Sequence, residues 1–284
     1  MPDAADDVFS RRTVLLTLLA VTLGGCTTAT LETVAPTRIV STNYAAMVVD
    51  AGNGRTLFQA KADAARYPAS LTKMMTLYLL FEALESGRVA RTTEIPVSDN
   101  ARRQPPTKIG FKAGQSIDVD SAIKALVTKS ANDVAVAVAE YLGGSEAVFA
   151  QAMTARARGL GMRSTVFRNA SGLPDPDQRT TARDMALLGM ALRQRFPQYY
   201  YYFSIRDFPY RGRTIRGHND MLGRVRGVDG IKTGYIRASG YNVVTSVNDA
   251  GRRMIVVVMG GENARERNAH VEDLIHRYLP MCTR

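Results

Sequence analysis

YPASLTKMMTLYLLFEALESG, residues 67–87, sets a serine and a lysine three positions apart at the mouth of an apolar run. From 73 to 84, nine of the twelve residues are apolar or tyrosine. They surround the axis instead of forming one stripe, which predicts a helix buried in a domain core and closed near Gly87. An ammonium without a partner is costly in such surroundings. Lys73 is therefore paired, snorkels to the surface, or is held neutral for a purpose.

Outward from this helix, residues 44–50 and 56–60 read as strands of a hairpin turned at Asn53-Gly54. Residues 91–115 read as loop with short strands. Helices are expected over 118–130 and 133–144, and two more cover SEAVFAQAMTARARGLGM and TTARDMALLGMALRQRF, the latter opened by Thr181 with Asp184 at capping-box spacing. From 199 on, YYYYFS, VDGIKTG, YNVVTSVND and RRMIVVVMGG read as strands, and the chain closes on an amphipathic helix over 264–279. Strands at both ends with helices between them predict an α+β fold, in which one antiparallel sheet built from both chain ends packs against a helical region.

Three short motifs carry chemistry. Ser70-Leu-Thr-Lys73 matches S-x-x-K, as does Ser121-Ala-Ile-Lys124. Ser130-Ala-Asn132 matches S-x-N, as do Ser41-Thr-Asn43 and Ser246-Val-Asn248, whereas Lys232-Thr-Gly234 is the only K-T-G. The information lies in order and context: a serine–lysine pair opening a buried helix, S-x-N at a helix junction, and K-T-G on a late strand. This trio marks penicillin-binding proteins and class A β-lactamases. A serine hydroxyl is a poor nucleophile until a base takes its proton. Burial, the helix dipole and a second cation at Lys232 would each lower the pKa of Lys73 and make it a competent base.

With YPASLTKMMT, KSANDVAVAVAE, NASGLPD, TTARDMALL, HNDMLGRVRGVDGIKTGY and SGYNVVTSV, the sequence resembles the low-molecular-mass penicillin-binding proteins of the serine D-alanyl-D-alanine carboxypeptidase family, across about 44–279. The resemblance implies a β-lactamase/transpeptidase-like fold and removal of the terminal D-alanine from peptidoglycan stem peptides, with β-lactams as inhibitors and no cofactor. It implies Ser70 as acylated nucleophile, Lys73 as its base, Ser130 as proton relay and Asn132 as a contact to the substrate amide. Lys232 and Thr233 would bind the terminal carboxylate, with Arg216 as a further candidate. The N–H groups of Ser70 and Tyr235 would form the oxyanion hole, and Gly234 would keep the strand edge clear for substrate. Relatives usually read K-T-G-x-T, whereas Ile236 stands at the threonine position here.

The first 26 residues read as an export signal: Arg11-Arg12, a weakly polar to apolar segment over 14–25 too short to span a bilayer, then Leu-Gly-Gly-Cys26, which resembles a lipobox with Cys26 as the acylated residue. Residues 27–40 read as a linker and 41–284 as the catalytic domain. Export by the general or the twin-arginine route stays open, as does a chance cysteine at 26. Cys282 is the only other cysteine, so no disulfide staple is expected. Three histidines without cysteine pairs offer no zinc ligand set. A net charge of +11 favours an anionic environment, but no basic run marks a nucleic-acid patch. Three other functions share the motifs: an endopeptidase cutting crosslinks, a class A-like β-lactamase, and a non-catalytic wall-binding lipoprotein. Against the β-lactamase, the stretch 164–181 contains no glutamate to activate a deacylating water.

Overall fold

The computed structural model describes residues 41–284; the signal-like segment with Cys26 and the linker 27–40 lie outside the described residues. Strands β1 (Ala45–Asp50) and β2 (Thr56–Ala60) form the first hairpin, where Gly54 takes a φ of +79° and donates to the Asp50 carbonyl at 2.8 Å. A 3₁₀ turn, Ala69–Thr72, leads into α1 (Lys73–Glu85). There follow β3 (Glu94–Pro96), α2 (Asp99–Arg102), β4 (Ser116–Asp118), α3 (Val119–Val127), α4 (Asn132–Gly143), α5 (Glu146–Gly159) and α6 (Ala182–Arg195). The chain returns through β5 (Asp207–Tyr210), β6 (Arg213–Arg216), β7 (Val228–Ile236), β8 (Gly240–Asp249) and β9 (Arg252–Gly261), and ends on α7 (Ala264–Tyr278).

The main sheet has the order β2-β1-β9-β8-β7 and every neighbouring pair is antiparallel. Both ends of the chain thus build it, as expected. Period-two alternation along its central strands assigns its two faces. Met254, Val256 and Val258 of β9, with Ala46 and Val48 of β1, pack with Val271, Leu274 and Ile275 of α7. Their alternates Ile255, Val257 and Met259 join the larger core under the helical region. A one-residue slip would exchange the two faces, so the two-sided burial fixes the register. The β8–β9 turn places Ala250 and Gly251 at φ of +49° and +82°, two left-handed residues that suit the twist of a hairpin.

Side-chain caps start several helices: Asp118, Thr181 and Asn263 accept from the N–H three residues on, at 2.8, 3.0 and 2.8 Å. Asp184 does not complete a capping box. Its carboxylate turns instead to the Ser164 N–H and the Thr165 hydroxyl, at 2.9 and 2.6 Å, and so ties the loop before α6 to the helix.

The tyrosine run departs from the expected strand. Residues Tyr200–Ser204 form a 3₁₀ turn. A strand would send Tyr202 and Phe203 to opposite faces, whereas here both are buried against Phe81 of α1, with ring centroids 6.4 and 6.0 Å away. The Tyr200 hydroxyl donates to Ser246 at 2.8 Å and that of Tyr202 to Asp120. Phe81, fully buried among these rings and Phe196, contributes roughly 1.5–3 kcal/mol by burial and holds α1 in place.

Candidate active site

Ser70 sits in the 3₁₀ turn just ahead of α1, directly after Ala69, whose φ is +50°. Left-handed backbone at a residue with a side chain is strained and persists only where neighbours enforce it. Those neighbours are two glycines. A Cβ on Gly172 would come within 1.8 Å of the Ala69 carbonyl oxygen, and one on Gly234 within 3.0 Å of the Ser70 nitrogen. Gly234, expected to clear the strand edge for substrate, also makes room for the Ser70 turn against β7.

Lys73 opens α1 and is fully buried. Its Nζ lies 3.1 Å from Ser70 Oγ, 2.8 Å from Asn132 Oδ1 and 2.5 Å from the Ser171 carbonyl oxygen. All three partners are oxygens that accept from Nζ, so a protonated Lys73 is fully satisfied here, and on loss of one proton its lone pair would face the Ser70 hydroxyl. Burial, then the charge of Lys232, push its pKa well below the ordinary lysine range, against smaller opposing effects of Asp133 and Glu146. Of the possibilities left open by the sequence, snorkelling is excluded because Lys73 has no exposure.

Ser130 closes the cleft opposite, with a φ of +58°. Thr107 supports that strained turn by donating its hydroxyl to the Lys129 and Ser130 carbonyls, each at 3.0 Å. The Ser130 hydroxyl is buried with no partner among the described residues, although Ser130 lines the cavity. Asn132 donates its side-chain N–H to the Pro105 carbonyl at 2.9 Å, which leaves one N–H for a ligand. Buried Asp133 accepts from the N–H groups of Ile109, Gly110 and Val134 at 3.1, 2.9 and 2.9 Å, pinning the 105–110 loop to α4. Burial raises its pKa.

Between these walls lies a cavity of about 530 Å³, lined by Ser70, Ser130, Asn132, Thr233, Gly234, Tyr235 and Ile236, among others. Lys232 is buried beneath it, its Nζ donating to the Thr233 carbonyl at 2.8 Å, and burial followed by nearby Arg267 lowers its pKa to about 7. Burial also lowers the pKa of His218, which lines the rim, with lesser contributions from Lys232 and Lys129. Arg216 lies exposed on β6 and does not line this cavity.

Arg267 does line it, from the first turn of α7. The sequence reading passed over this residue. It is almost fully buried, and its guanidinium donates to the Asn242 carbonyl at 3.1 Å and to Asn268 Oδ1 at 2.6 Å, with no salt bridge to an acidic side chain among the described residues. The spacing 267, 270, 271, 274 puts it on the buried stripe of that helix, which was a signal available in the sequence. Asn242 links this cation to the nucleophile, donating to the Tyr67 carbonyl at 3.1 Å and accepting from Gly260 at 2.9 Å. Glu146 was also passed over. From the start of α5 it accepts from the Ala170 N–H at 3.0 Å, but it does not line the Ser70 cavity. No glutamate of the 164–181 stretch does either, since it contains none.

A serine hydrogen-bonded to a buried lysine, a serine hydroxyl opposite with no partner among the described residues, and buried cations under a strand form a site suited to acyl transfer to serine. The family model described as D-alanyl-D-alanine carboxypeptidase matches residues 31–263. The chain belongs to the D-alanyl-D-alanine carboxypeptidase family. It is 34% identical over 236 residues to D-alanyl-D-alanine carboxypeptidase DacA of Escherichia coli, covering 81% of this chain and 59% of that protein. To DacF of Bacillus subtilis it is 30% identical over 235 residues, covering 81% and 60%. The chain spans about three fifths of the length of these curated relatives. Among solved structures, penicillin-binding protein 5 from Haemophilus influenzae superposes with a TM-score of 0.82 at 30% identity, covering 87% of this chain and 73% of that one. Penicillin-binding protein D2 from Listeria monocytogenes, in its ampicillin-bound form, gives 0.75 at 30% identity, covering 82% and 95%. These neighbours share the β-lactamase/transpeptidase-like fold expected from the motifs.

In a carboxypeptidase-family site built this way, Gly172 cannot carry a side chain without moving Ala69 and Ser70. Gly172→Ala is therefore expected to slow acylation of Ser70 by a β-lactam by about 100-fold, the cost of displacing a reacting atom by about 1 Å. Stopped-flow acylation kinetics check this, and an unchanged rate would contradict it.

Proposed function

We propose that this protein is a serine D-alanyl-D-alanine carboxypeptidase that releases the terminal D-alanine of peptidoglycan stem pentapeptides through an acyl-enzyme on Ser70, and that β-lactams acylate the same serine. The observation that carries the reading is the fully buried Lys73, its Nζ 3.1 Å from Ser70 Oγ and its pKa pushed well below the lysine range by burial and Lys232.

In this mechanism the substrate runs along β7, with its terminal carboxylate on Thr233, Lys232 and Arg267 through charge-assisted hydrogen bonds. Arg267 replaces Arg216 as the second cation, because it lines the cavity and is buried. The remaining N–H of Asn132 holds the substrate amide carbonyl on the acyl side. Lys73 takes the Ser70 proton as Oγ attacks the carbonyl of the penultimate D-alanine, and the resulting oxyanion is held by the N–H groups of Ser70 and Tyr235. The C–N bond then breaks while the Ser130 hydroxyl, which has no partner among the described residues, gives its proton to the departing nitrogen and recovers one from Lys73. Water hydrolyses the ester and restores the serine. Ile236 puts an apolar side chain at the mouth where relatives offer a hydroxyl, leaving the acyl-side contact to the backbone of β7.

The reading extends to location. Residues 1–26 would direct export, with acylation of Cys26 holding the enzyme at a membrane surface near its polymeric substrate. The net charge of +11 suits an anionic wall or lipid surface.

Intact-mass spectrometry after addition of benzylpenicillin tests the assignment. A lasting adduct of one drug mass on Ser70 is expected, absent in Ser70→Ala. Rapid turnover of the drug would favour a β-lactamase, and neither adduct nor turnover a non-catalytic binder.

The two lysines also set a pH window. Lys73 must be neutral, so activity falls with acid as it takes up a proton. Lys232 must be charged to hold the carboxylate, and with its pKa at about 7 in the free enzyme, kcat/KM is expected to fall as pH rises past that value. Bound carboxylate raises the pKa of Lys232, so the alkaline limb of kcat should lie higher than that of kcat/KM. Coincident limbs in the two profiles would contradict this account of Lys232.

A further inference from the structure

The segment Ala170–Gly172 touches both halves of the reacting pair. The Ser171 carbonyl accepts from Lys73 at 2.5 Å, and Gly172 packs on Ala69 so closely that a Cβ there would come within 1.8 Å of its carbonyl oxygen. Whatever fixes Ala170 therefore fixes the amine and the serine turn together. The Ala170 carbonyl accepts from the Thr76 hydroxyl of α1 at 2.7 Å, and its N–H donates to the Glu146 carboxylate of α5 at 3.0 Å. One tie comes from the helix that carries Lys73. The other comes from a half-buried acid that makes no salt bridge among the described residues.

Glu146 does not cap its own helix. Ser145 does that, accepting from the Val148 N–H at 3.3 Å, whereas Glu146 reaches across to Ala170. A carboxylate withdrawn from water needs an opposing charge. Burial raises the pKa of Glu146 most; the Ala170 N–H lowers it, Glu140 of α4 raises it, and Lys73 lowers it. The effect is mutual. Burial and then Lys232 of β7 depress Lys73, while Asp133 of α4 and Glu146 act upward. Asp133 spends its oxygens on the N–H groups of Ile109, Gly110 and Val134, on the far side of the 105–110 loop contact. Glu146 is thus the carboxylate tied to the segment on which Lys73 rests.

We propose that Glu146 is a positioning residue for Lys73, holding the Ala170–Ser171 segment against the amine and setting its negative charge against the positive charge of Lys232. The proposal rests on the reading of Lys73 as the base for Ser70. A base depressed without limit by burial and a neighbouring cation has too little proton affinity to draw the proton from a serine hydroxyl. Glu146 limits that depression without lining the cavity, so it meets no substrate.

The test is stopped-flow acylation of Ser70 by benzylpenicillin across pH, on the full 284-residue chain, with melting temperatures checked for each variant. Glu146→Gln keeps an oxygen for the Ala170 N–H but removes the charge, which lowers the proton affinity of Lys73. Its acid limb should therefore move to lower pH by at least about 0.5 unit, and its plateau should fall roughly 3-fold because the base is weaker. Glu146→Ala also loses the tie, and its plateau should fall ~10-fold or more as the segment shifts. Thr76→Val loosens the same segment without removing a charge, so its plateau should fall while its acid limb stays within about 0.2 unit of wild type. An unmoved acid limb in Glu146→Gln would overturn the proposal, as would an equal movement in Thr76→Val or a wild-type plateau in Glu146→Ala. These results would leave the reading of Lys73 standing. Wild type that is not acylated on Ser70 at any pH would overturn that reading and the role of Glu146 with it.

Discussion

A lysine buried at the start of a core helix is the constraint around which this molecule is arranged. Without partners an ammonium there would be untenable, and each feature of the cleft meets some part of that demand. Asn132 comes from the start of α4, Ser171 from the loop before α6, and Ser70 from the turn before α1. Three separate segments must therefore converge to within hydrogen-bond distance of one nitrogen. Thr76 fixes the same loop one residue earlier, donating to the Ala170 carbonyl at 2.7 Å, while Glu146 takes the Ala170 N–H. The site is held by the interior of the helical region, and its precision derives from packing around α1.

The sheet supplies the other wall. Strand β7 ends the sheet, so its outer edge is free to face the cleft. Gly234 brings that edge against the Ser70 turn, and the adjacent buried lysine and Arg267 give the floor its positive charge. Arg267 is reached through Asn242 on β8, which also holds the backbone just before the nucleophile. The two chain ends thus meet at the reaction centre, and the late strands orient a serine that lies near the start of the described residues.

Much of this was legible in the sequence. The all-round apolar pattern of α1 and the alternation in β1, β8 and β9 gave the helical core and the two-faced sheet, because each is a periodic signal repeated over many residues. The three motifs marked Ser70, Lys73, Ser130, Asn132 and Lys232 because their order along the chain is unusual. Arg267 was harder to find, since an arginine on an amphipathic helix looks like solvated surface until the buried stripe is traced through it. Arg216 was chosen instead because it stands next to the HND loop in sequence, but it is exposed on β6 and does not line the Ser70 cavity. The tyrosine run misled because aromatic residues favour strands in general, whereas here tertiary contacts with Phe81 and Asp120 override that preference. The role of Gly234 depends on backbone proximity between residues far apart in the chain, which no local pattern records.

The central claim is that burial and the charge of Lys232 hold the pKa of Lys73 well below the ordinary lysine range, which lets it accept the Ser70 proton. Its direct test is an NMR titration of protein labelled at the lysine ε-carbons, with the Lys73 signal assigned by its loss in Lys73→Arg. The account predicts a Lys73 resonance that titrates well below the ~10.4 of an ordinary lysine. A Lys73 signal that titrates with the exposed lysines would contradict it, because the nitrogen would then be an ammonium in the resting site and the serine would have no base.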